Sequence, residues 1–207
     1  MKKRVCTSFE AEKFLKKYIP VSENQLVRKY EQITLNPPLV LKIISPQALH
    51  KTEVNGIKIV KEHENIKKTF DSLVKNSIEK KIKLEGIMVQ KYYEGEQFLI
   101  GIKKDPVFGH VIVLGFGGVY TELFNDISIR KCPIKEHDAE EMMSELKSKK
   151  IFEGFRGKTL NTKELKKILV KVSQIPKKKK NILELDINPL ILNSKEAIVV
   201  DARIIFG

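Results

Sequence analysis

The chain has 207 residues, of which 42% are hydrophobic and 31% charged, a composition typical of a folded globular protein rather than a disordered or fibrous one. No apolar run approaches the roughly 20 residues that a membrane-spanning helix needs, and the basic N-terminus lacks the apolar stretch of a secretory signal, so we expect a cytoplasmic protein with no membrane partner. The net charge of +13 is spread along the chain without interleaved aromatic residues, and we therefore expect no nucleic-acid partner.

The first half of the chain alternates between helical and strand-like patterns. Thr7 and Glu10 fit a capping box, in which two residues satisfy each other's backbone N–H groups at the start of a helix. The apolar run at 39–45 predicts a strand that is covered on both faces. The predicted elements of this half are a helix that ends before Pro20, strands at 39–45, 57–60 and 86–93, and a helix at 63–80.

The second half continues with strands, two helices and a terminal pair of strands. The predicted elements are strands at 97–103, 111–115, 181–192 and 197–206 and helices at 137–149 and 162–174. The turn residues Glu94 and Gly95 predict a hairpin that joins the strands on either side of them. Interleaved helices and hairpins indicate an α+β (mixed α/β) class. We expect one domain, residues 1–207, with lobes at 1–91 and 92–207.

The segment 45–58 combines one histidine, His50, with lysines at or near both of its ends, Lys42 and Lys58. A neutral imidazole is a competent nucleophile toward phosphorus near pH 7. Lysine ammonium groups can neutralise a phosphoryl group during its transfer. The local pattern therefore indicates a phosphate-handling loop, although it fits a solvent-exposed histidine in an ordinary loop equally well.

Acidic and amide side chains alternate along the penultimate predicted strand. Glu184, Asp186 and Asn188 are two residues apart, so they point to one face of the sheet. With Asp201 on the following strand, Asp186 and Asn188 offer the oxygen ligands that Mg²⁺ prefers. The alternative is structural: Glu184 and Asp186 lie on a solvent-facing edge, and Asp201 pairs with Arg203.

A glycine cluster, GFGG at 115–118, follows the predicted buried strand at 111–115. Backbone N–H groups in such a cluster can approach phosphate closely. The cluster matches neither of the common nucleotide-binding glycine motifs. Taken alone, it favours a tight turn.

Taken in order, these segments resemble the β subunit of ADP-forming acetyl-CoA synthetases, which have an ATP-grasp fold. The resemblance covers nearly the whole chain, from FEAEKFLKKYIPV through VLKIISPQALHKTEVNGIK, GIMVQKYYEG and LIGIKKDPVFGHVIVLGFGGVYTELFNDISIRKCPI to GFRG, LELDINPLIL and VVDARI. It implies two lobes with a nucleotide held between them. It also implies an acid–thiol ligase that converts acyl-CoA, ADP and phosphate reversibly to the free acid, CoA and ATP. Such an enzyme is active only with a CoA-binding α subunit, in an α2β2 heterotetramer.

The resemblance also assigns roles to individual residues. His50 falls on the histidine of the family's S-P-x-x-x-H-K loop, which relays the phosphoryl group to ADP. The residues implied in nucleotide binding are Lys42, Lys58, the hinge residues Val89, Gln90, Lys91 and Tyr92, and Gln97, Gly117, Gly118, Glu122 and Arg130. Asn188 and Asp201, with Asp186 beside them, match the family's Mg²⁺ ligands.

Three positions depart from the family pattern. Asn55 replaces the first glycine after the loop acid, and asparagine tolerates the left-handed conformation that this turn needs. Lys91 replaces the acid of the hinge, and Gln97 replaces a glutamate expected to bind ribose, so the preference for ADP over GDP stays open. The rival hypotheses are a succinyl-CoA-synthetase-like β subunit, whose glycine-rich loop lacks the relay histidine, and a non-catalytic nucleotide-binding regulatory module.

Overall fold

The protein was studied as a computed structural model that describes residues 3–46, 55–117, 126–154 and 159–207. The chain divides into two compact units. The large unit comprises Met1–Val5, Ala11–Val21 and Glu94–Gly207, and the small unit comprises Cys6–Glu10 and Ser22–Tyr93. The predicted lobes, 1–91 and 92–207, placed the whole N-terminal segment in the first lobe, whereas residues 11–21 belong to the large unit.

The helices and strands that the sequence predicts are present in the described ranges, close to their predicted bounds. In chain order they are β1 (Arg4–Val5), α1 (Ser8–Leu15), β2 (Asn24–Val27), β3 (Leu39–Ile44), β4 (Ile57–Val60), α2 (Ile66–Glu79), β5 (Gly86–Lys91), β6 (Glu96–Asp105), β7 (Gly109–Phe116), β8 (Ile127–Lys131), α3 (Glu136–Glu145), α4 (Thr162–Lys178), β9 (Ile182–Leu192), β10 (Ala197–Val199) and β11 (Ala202–Phe206). None of these helices is both long enough and apolar enough to cross a membrane. The mixed α/β class is confirmed.

The capping box at the start of α1 is confirmed. The backbone N–H of Thr7 donates to Glu10 Oε2 at 2.9 Å, and the backbone N–H of Glu10 donates to Thr7 Oγ1 at 3.4 Å. These bonds satisfy N–H groups that the first turn of a helix cannot pair internally. They fix the point at which α1 begins.

The small unit is a four-stranded antiparallel sheet in the order β2-β5-β3-β4 with α2 packed on one face. Alternate residues of the two central strands point toward the helix. The side chains that form this buried layer include Leu39, Leu41, Ile43, Ile87 and Val89 from the strands and Ile66, Phe70 and Leu73 from α2. The other face of the sheet is thereby left to the intervening residues, which include Lys42 and Gln90.

The large unit contains a seven-stranded sheet, with the path β1-β11-β9-β6-β7-β8 and β10 paired to β9. Helices α3 and α4 pack against each other and against this sheet. The last predicted strand, 197–206, is divided into β10 and β11 around Val200 and Asp201. Both pieces pair antiparallel with β9, so the predicted terminal pair of strands is confirmed.

The predicted hairpin around Glu94 and Gly95 is wrong. Strand β5 pairs with β2 and β3, whereas β6 pairs with β7 and β9, so the two strands lie in different sheets. A Cβ atom on Gly95 would lie 2.5 Å from the carbonyl oxygen of Leu192, and Asn193 Nδ2 donates to the Glu94 carbonyl at 3.0 Å. Glu94 and Gly95 therefore contact residues at the end of β9 instead of forming a hairpin turn.

We predict that Leu73→Ala lowers the free energy of unfolding by about 2–5 kcal/mol, because it removes a fully buried side chain between α2 and the sheet. Urea unfolding followed by circular dichroism measures this change. Ile78→Ala on the same helix is the matched control: Ile78 is 71% exposed, and its truncation should change stability by less than about 0.5 kcal/mol. Equal losses from both substitutions would contradict the described packing of α2.

Candidate functional site

Strand β3 places Lys42 on the sheet face opposite α2. Lys42 is paired with Ile57 on β4 and with Met88 on β5, and directly paired residues point to the same face. Gln90, which is paired with Val40, shares this face. Lys42 is only 4% exposed, and Met88 and Gln90 are fully buried. Because water screens a buried ammonium poorly, Lys42 attracts a phosphate more strongly than an exposed lysine does.

Lys58 does not share that face, which corrects the prediction that it joins Lys42 as a second cation. Lys58 is paired with Leu41, whose side chain packs against α2. Its Nζ donates to Ser72 Oγ on α2 at 2.6 Å. The reason is the two-residue alternation of a strand, which sends Lys58 and Ile57 to opposite faces. The partner Ser72 was missed because a serine on a helix has no distinguishing sequence signal.

The four predicted hinge residues are also divided by this alternation. Gln90 lies on the Lys42 face, whereas Val89 is part of the layer under α2. Lys91 is exposed, and its Nζ lies 5.9 Å from the ring centroid of Tyr93. Of the three hinge residues that lie on β5, therefore, Gln90 is the one whose side chain shares a face with Lys42.

The hinge backbone is held in place by the small unit. The backbone N–H of Lys91 donates to the Glu23 carbonyl at 2.9 Å, and that of Tyr92 donates to the Pro38 carbonyl at 3.0 Å. The hydroxyl of Ser22 donates to the Lys91 carbonyl at 3.0 Å. These bonds fix the path of the chain where the small unit ends.

The segment that contains His50 connects β3 to β4, and His50 itself lies outside the described residues. The end of the segment at β4 is fixed by two bonds. The N–H of Ile43 donates to the Gly56 carbonyl at 2.8 Å, and Asn76 Nδ2 on α2 donates to the Asn55 carbonyl at 3.3 Å. Asn55 has φ 51°, which is in the left-handed region, so the prediction that asparagine supports this turn is confirmed.

The three predicted metal ligands are neighbours in the large unit. Asp186 and Asn188 are two residues apart on β9, and the N–H of Asn188 donates to the Asp201 carbonyl at 3.1 Å. Strand β9 lies between β11 and β6. The alternative that Glu184 and Asp186 occupy an exposed edge is therefore wrong, and Arg203 approaches Glu184 at 3.9 Å.

The register between β6 and β9 shifts next to these ligands. Phe98 is paired with Leu190 and Ile100 with Ile187, so Asn188 and Pro189 have no paired residue on β6. Such a bulge re-aims side chains and is common beside functional sites. Asn188 therefore lies outside the β6–β9 register, at the position where its N–H bonds the Asp201 carbonyl.

The chemistry of these side chains fits a hard divalent cation. Burial raises the pKa of the Asp186 carboxyl; Arg203 opposes this change, and the neighbouring Asp201 and Glu184 carboxylates reinforce it. Carboxylates that disfavour each other's charge are stabilised by a bound cation. In the part of the chain that the structure describes, no group of three or more His, Cys, Asp or Glu side chains is arranged for a metal. The predicted set contains two carboxylates and one amide, so phosphate or water oxygens would have to complete the coordination of Mg²⁺.

The structure brings Gln97 and Gly117 together. The N–H of Gly117 donates to the Gln97 carbonyl at 2.7 Å, and a Cβ atom on Gly117 would lie 2.8 Å from the carbonyl carbon of Phe98. Gly115 and Phe116 belong to β7, so this part of the glycine cluster continues the strand rather than forming the tight turn that we predicted. Gly118 and Glu122 lie outside the described residues.

Arg130 contacts carboxylates of helix α3. Arg130 Nη1 donates to Glu145 Oε2 at 3.0 Å, its Nη2 also bonds Glu145, and Glu141 Oε2 lies 3.5 Å away. Ser128 Oγ donates to the same Glu145 carboxylate at 2.6 Å. Hydrogen bonds from Arg130 and Ser128 lower the pKa of Glu145 to about 2. These contacts give Arg130 a structural role between β8 and α3, and its predicted nucleotide contact stays a prediction.

Comparison with known proteins identifies relatives of this chain in sequence and in fold. The ATP-grasp domain family matches residues 1–206. The chain is 36% identical over 207 residues to the acetate–CoA ligase [ADP-forming] I subunit beta of Pyrococcus furiosus, covering 95% of this chain and 89% of that protein. It superimposes with a TM-score of 0.94 and 36% identity on acetyl-coenzyme A synthetase 1 of Candidatus Korarchaeum cryptofilum in complex with coenzyme A and Ca-AMPCP, covering 99% of this chain and 94% of that one.

A second structure of the Korarchaeum protein contains coenzyme A and Mg-AMPPCP, with a phosphohistidine segment that points towards the nucleotide-binding site. The TM-score with this structure is 0.87 at 36% identity, and the match covers 98% of this chain and 93% of that chain. This chain therefore resembles the Korarchaeum protein in both fold and sequence.

We predict that Glu145 contributes stability that disappears in acid. Its pKa is about 2 in the folded protein and 4.5 ordinarily, so the unfolded chain takes up the proton first as the pH falls. The contribution is present above about pH 4.5 and is lost as the pH falls toward 2. Glu145→Gln should therefore lower Tm at pH 7, and the difference from the wild type should shrink between pH 4.5 and 2.

The matched control for this prediction is Glu136→Gln. Glu136 lies on the same helix, and its carboxylate is 4.0 Å from Lys166 rather than next to Arg130. This variant should keep the wild-type dependence of Tm on pH. An unchanged gap between the Glu145→Gln and wild-type melting curves across this range would refute the assignment.

Proposed function

The chain belongs to the ATP-grasp domain family and, within it, to the β subunits of ADP-forming acetate–CoA ligases, and we propose that it performs the nucleotide half of this reaction. In that role His50 carries a phosphoryl group and passes it to ADP. ATP forms as acyl-CoA is cleaved to the free acid and CoA, and the sequence of steps is reversible.

The observation that carries this proposal is the geometry at the β3–β4 connection. Residues Ile43 and Gly56 are bonded at the ends of the segment that contains His50, and Asn76 secures Asn55 beside them. The buried Lys42 lies on β3, next to the point where the segment leaves the sheet. A histidine on a connection with fixed ends and a cation nearby is suited to carry a phosphoryl group between two sites.

The proposed transfer to ADP is a substitution at phosphorus. A terminal phosphate oxygen of ADP forms the new P–O bond, the N–P bond of phosphorylated His50 breaks, and the electron pair of that bond returns to the imidazole. Lys42 stabilises negative charge on the transferring group. Gln90 shares its sheet face, and we assign it to orienting the nucleotide. Catalysis of this kind depends mainly on positioning and charge neutralisation.

The large unit supplies the other proposed ligands. Asp186, Asn188 and Asp201 would hold Mg²⁺, which neutralises phosphate charge when it is bound. We assign Gln97 to the ribose, and the backbone next to Gly117 and Gly118 to phosphate. Glu122 completes the proposed set, and Arg130 acts mainly through its structural contacts with α3.

We propose that the CoA-binding chemistry lies on a separate α subunit and that the two subunits form an α2β2 heterotetramer. The naming of the relatives as subunit beta supports a partner subunit. ATP formation from acyl-CoA, ADP and phosphate should then appear only when an α subunit is present. Turnover by this chain alone would contradict the proposed division of labour.

We predict that the chain becomes labelled when it is mixed with Mg²⁺ and ATP carrying a radioactive γ-phosphate. The label should be labile in acid and stable in base, because an N–P bond has this behaviour. His50→Ala should reduce the label at least about 100-fold, to background, because the nucleophile is absent. His63→Ala, which alters an exposed histidine of the same unit, should leave the label unchanged.

Each outcome of the labelling experiment separates the hypotheses. Label that persists in His50→Ala would refute the relay. Nucleotide binding without label in the wild type would identify a regulatory binding module instead of an enzyme.

We predict that Lys42→Met weakens ATP binding by at least about tenfold, because it removes a buried charge without removing the volume of the side chain. Isothermal titration calorimetry of the full chain measures the affinity. Lys75→Met is the matched control, since Lys75 is 78% exposed and paired with Glu79 on the outside of α2. An equal loss in both variants would show only a general effect of net charge.

A further inference from the structure

A cationic pocket lies between strand β4 and helix α2, entirely within the small unit. Its volume is about 500 Å³. Lys58 and Lys61 come from β4 and the residue that follows it, and Lys68 comes from the first turn of the helix. The pocket therefore collects three ammonium groups from two adjacent elements.

Among the described residues, the pocket is lined by more lysines than acids. In the described ranges, none of Lys58, Lys61 and Lys68 forms an ion pair with a carboxylate, and the contact made by Lys58 is to the neutral hydroxyl of Ser72. Glu62, the one acid that lines the pocket, accepts a hydrogen bond from Asn65 Nδ2 at 3.4 Å. Three lysines against one glutamate leave a net positive pocket, and an anion would relieve their mutual repulsion.

The pocket also offers neutral hydrogen-bond donors. The hydroxyl groups of Thr69 and Ser72 and the amide of Asn65 line it. Lysine acts as a flexible point charge toward phosphate, and hydroxyl and amide groups donate to the remaining phosphate oxygens. This combination of hydrogen-bond donors and positive charge favours an oxyanion over an uncharged apolar ligand.

The pocket is distinct from the proposed nucleotide site. Lys58 and Lys42 point to opposite faces of the four-stranded sheet, because Lys58 is paired with Leu41 and Lys42 with Ile57. The two cations therefore cannot bind one phosphate across the sheet. Asn55, three residues before Lys58, accepts a hydrogen bond at its carbonyl from Asn76 on α2, so the chain is joined to this helix on the side where β4 begins.

We propose that the β4–α2 pocket is a second anion site, which binds a phosphate or diphosphate group through Lys58, Lys61 and Lys68. Ser72 orients the Lys58 ammonium toward this ligand. The site uses neither His50 nor Lys42. It can therefore be present or absent independently of the phosphoryl relay.

Calorimetric titration of the full chain with inorganic phosphate, and separately with pyrophosphate, tests the proposal. The titrations are made in the Lys42→Met background so that binding on the other sheet face contributes little. Lys58→Met and Lys68→Met should each weaken binding by about tenfold. Lys75→Met, on the outside of α2, should leave the affinity unchanged, and higher ionic strength should weaken binding in the unmodified pocket.

Tighter binding of pyrophosphate would identify a diphosphate as the preferred ligand, and equal binding would identify a single phosphate; both outcomes support the site. An affinity that is the same in all lysine variants would overturn it, as would an equal loss in Lys75→Met. Lys61→Met provides a further variant, because Lys61 is exposed and its substitution leaves the core intact. Thermal melts of each variant establish that the protein is folded, and the labelling of His50 reports separately on the relay.

Discussion

The alternation of side chains across β3 and its two neighbours is the constraint on which the small unit depends. Leu39, Leu41 and Ile43 face α2 and form one buried layer with it. The pairing of β3 with β4 and β5 then fixes the opposite face for Lys42, Met88 and Gln90. A shift of one residue would exchange these two sets, placing Lys42 in the apolar layer. The register of the sheet therefore determines both the packing of α2 and the position of the buried Lys42 ammonium.

The central position of β9 has the same importance in the large unit. Because β9 lies between β11 and β6, its acidic residues are held inside the sheet rather than at an edge. The shift in register between Phe98 and Ile100 leaves Asn188 outside the β6–β9 register, bonded to the Asp201 carbonyl. Burial raises the pKa of the Asp186 carboxyl, and the neighbouring Asp201 and Glu184 carboxylates reinforce this change, so a divalent cation would relieve the mutual repulsion of these carboxylates.

The cationic side chains of Lys42 on β3 and Arg130 on β8 have different surroundings. Lys42 is buried on a sheet face and is suited to act on a phosphoryl group, whereas Arg130 is committed to Glu145 and Glu141 of α3. Arg130 has a planar group that bonds a carboxylate in two places, which makes it an effective connector between β8 and the helix. Arg130 therefore has an established structural role between β8 and α3, whereas its contact with a nucleotide stays a prediction.

The sequence by itself determined the elements, their order and the family. Apolar periodicity located the helices and strands, the capping box marked the start of α1, and long motifs in a fixed order identified the ATP-grasp relatives. It also supplied Asn55, because few residues other than glycine tolerate a left-handed conformation. These properties depend on neighbouring residues along the chain.

Only the tertiary structure decided which strands pair and which candidate residues share a face. Glu94 and Gly95 read as a hairpin turn, but pairing depends on distant strands such as β2 and β9. Lys58 and Val89 were grouped with Lys42 on motif order alone, and the register of the sheet separated them. Strand pairing is a long-range property, and a change of one residue in register reverses the direction of every side chain, so no local pattern could have fixed these positions.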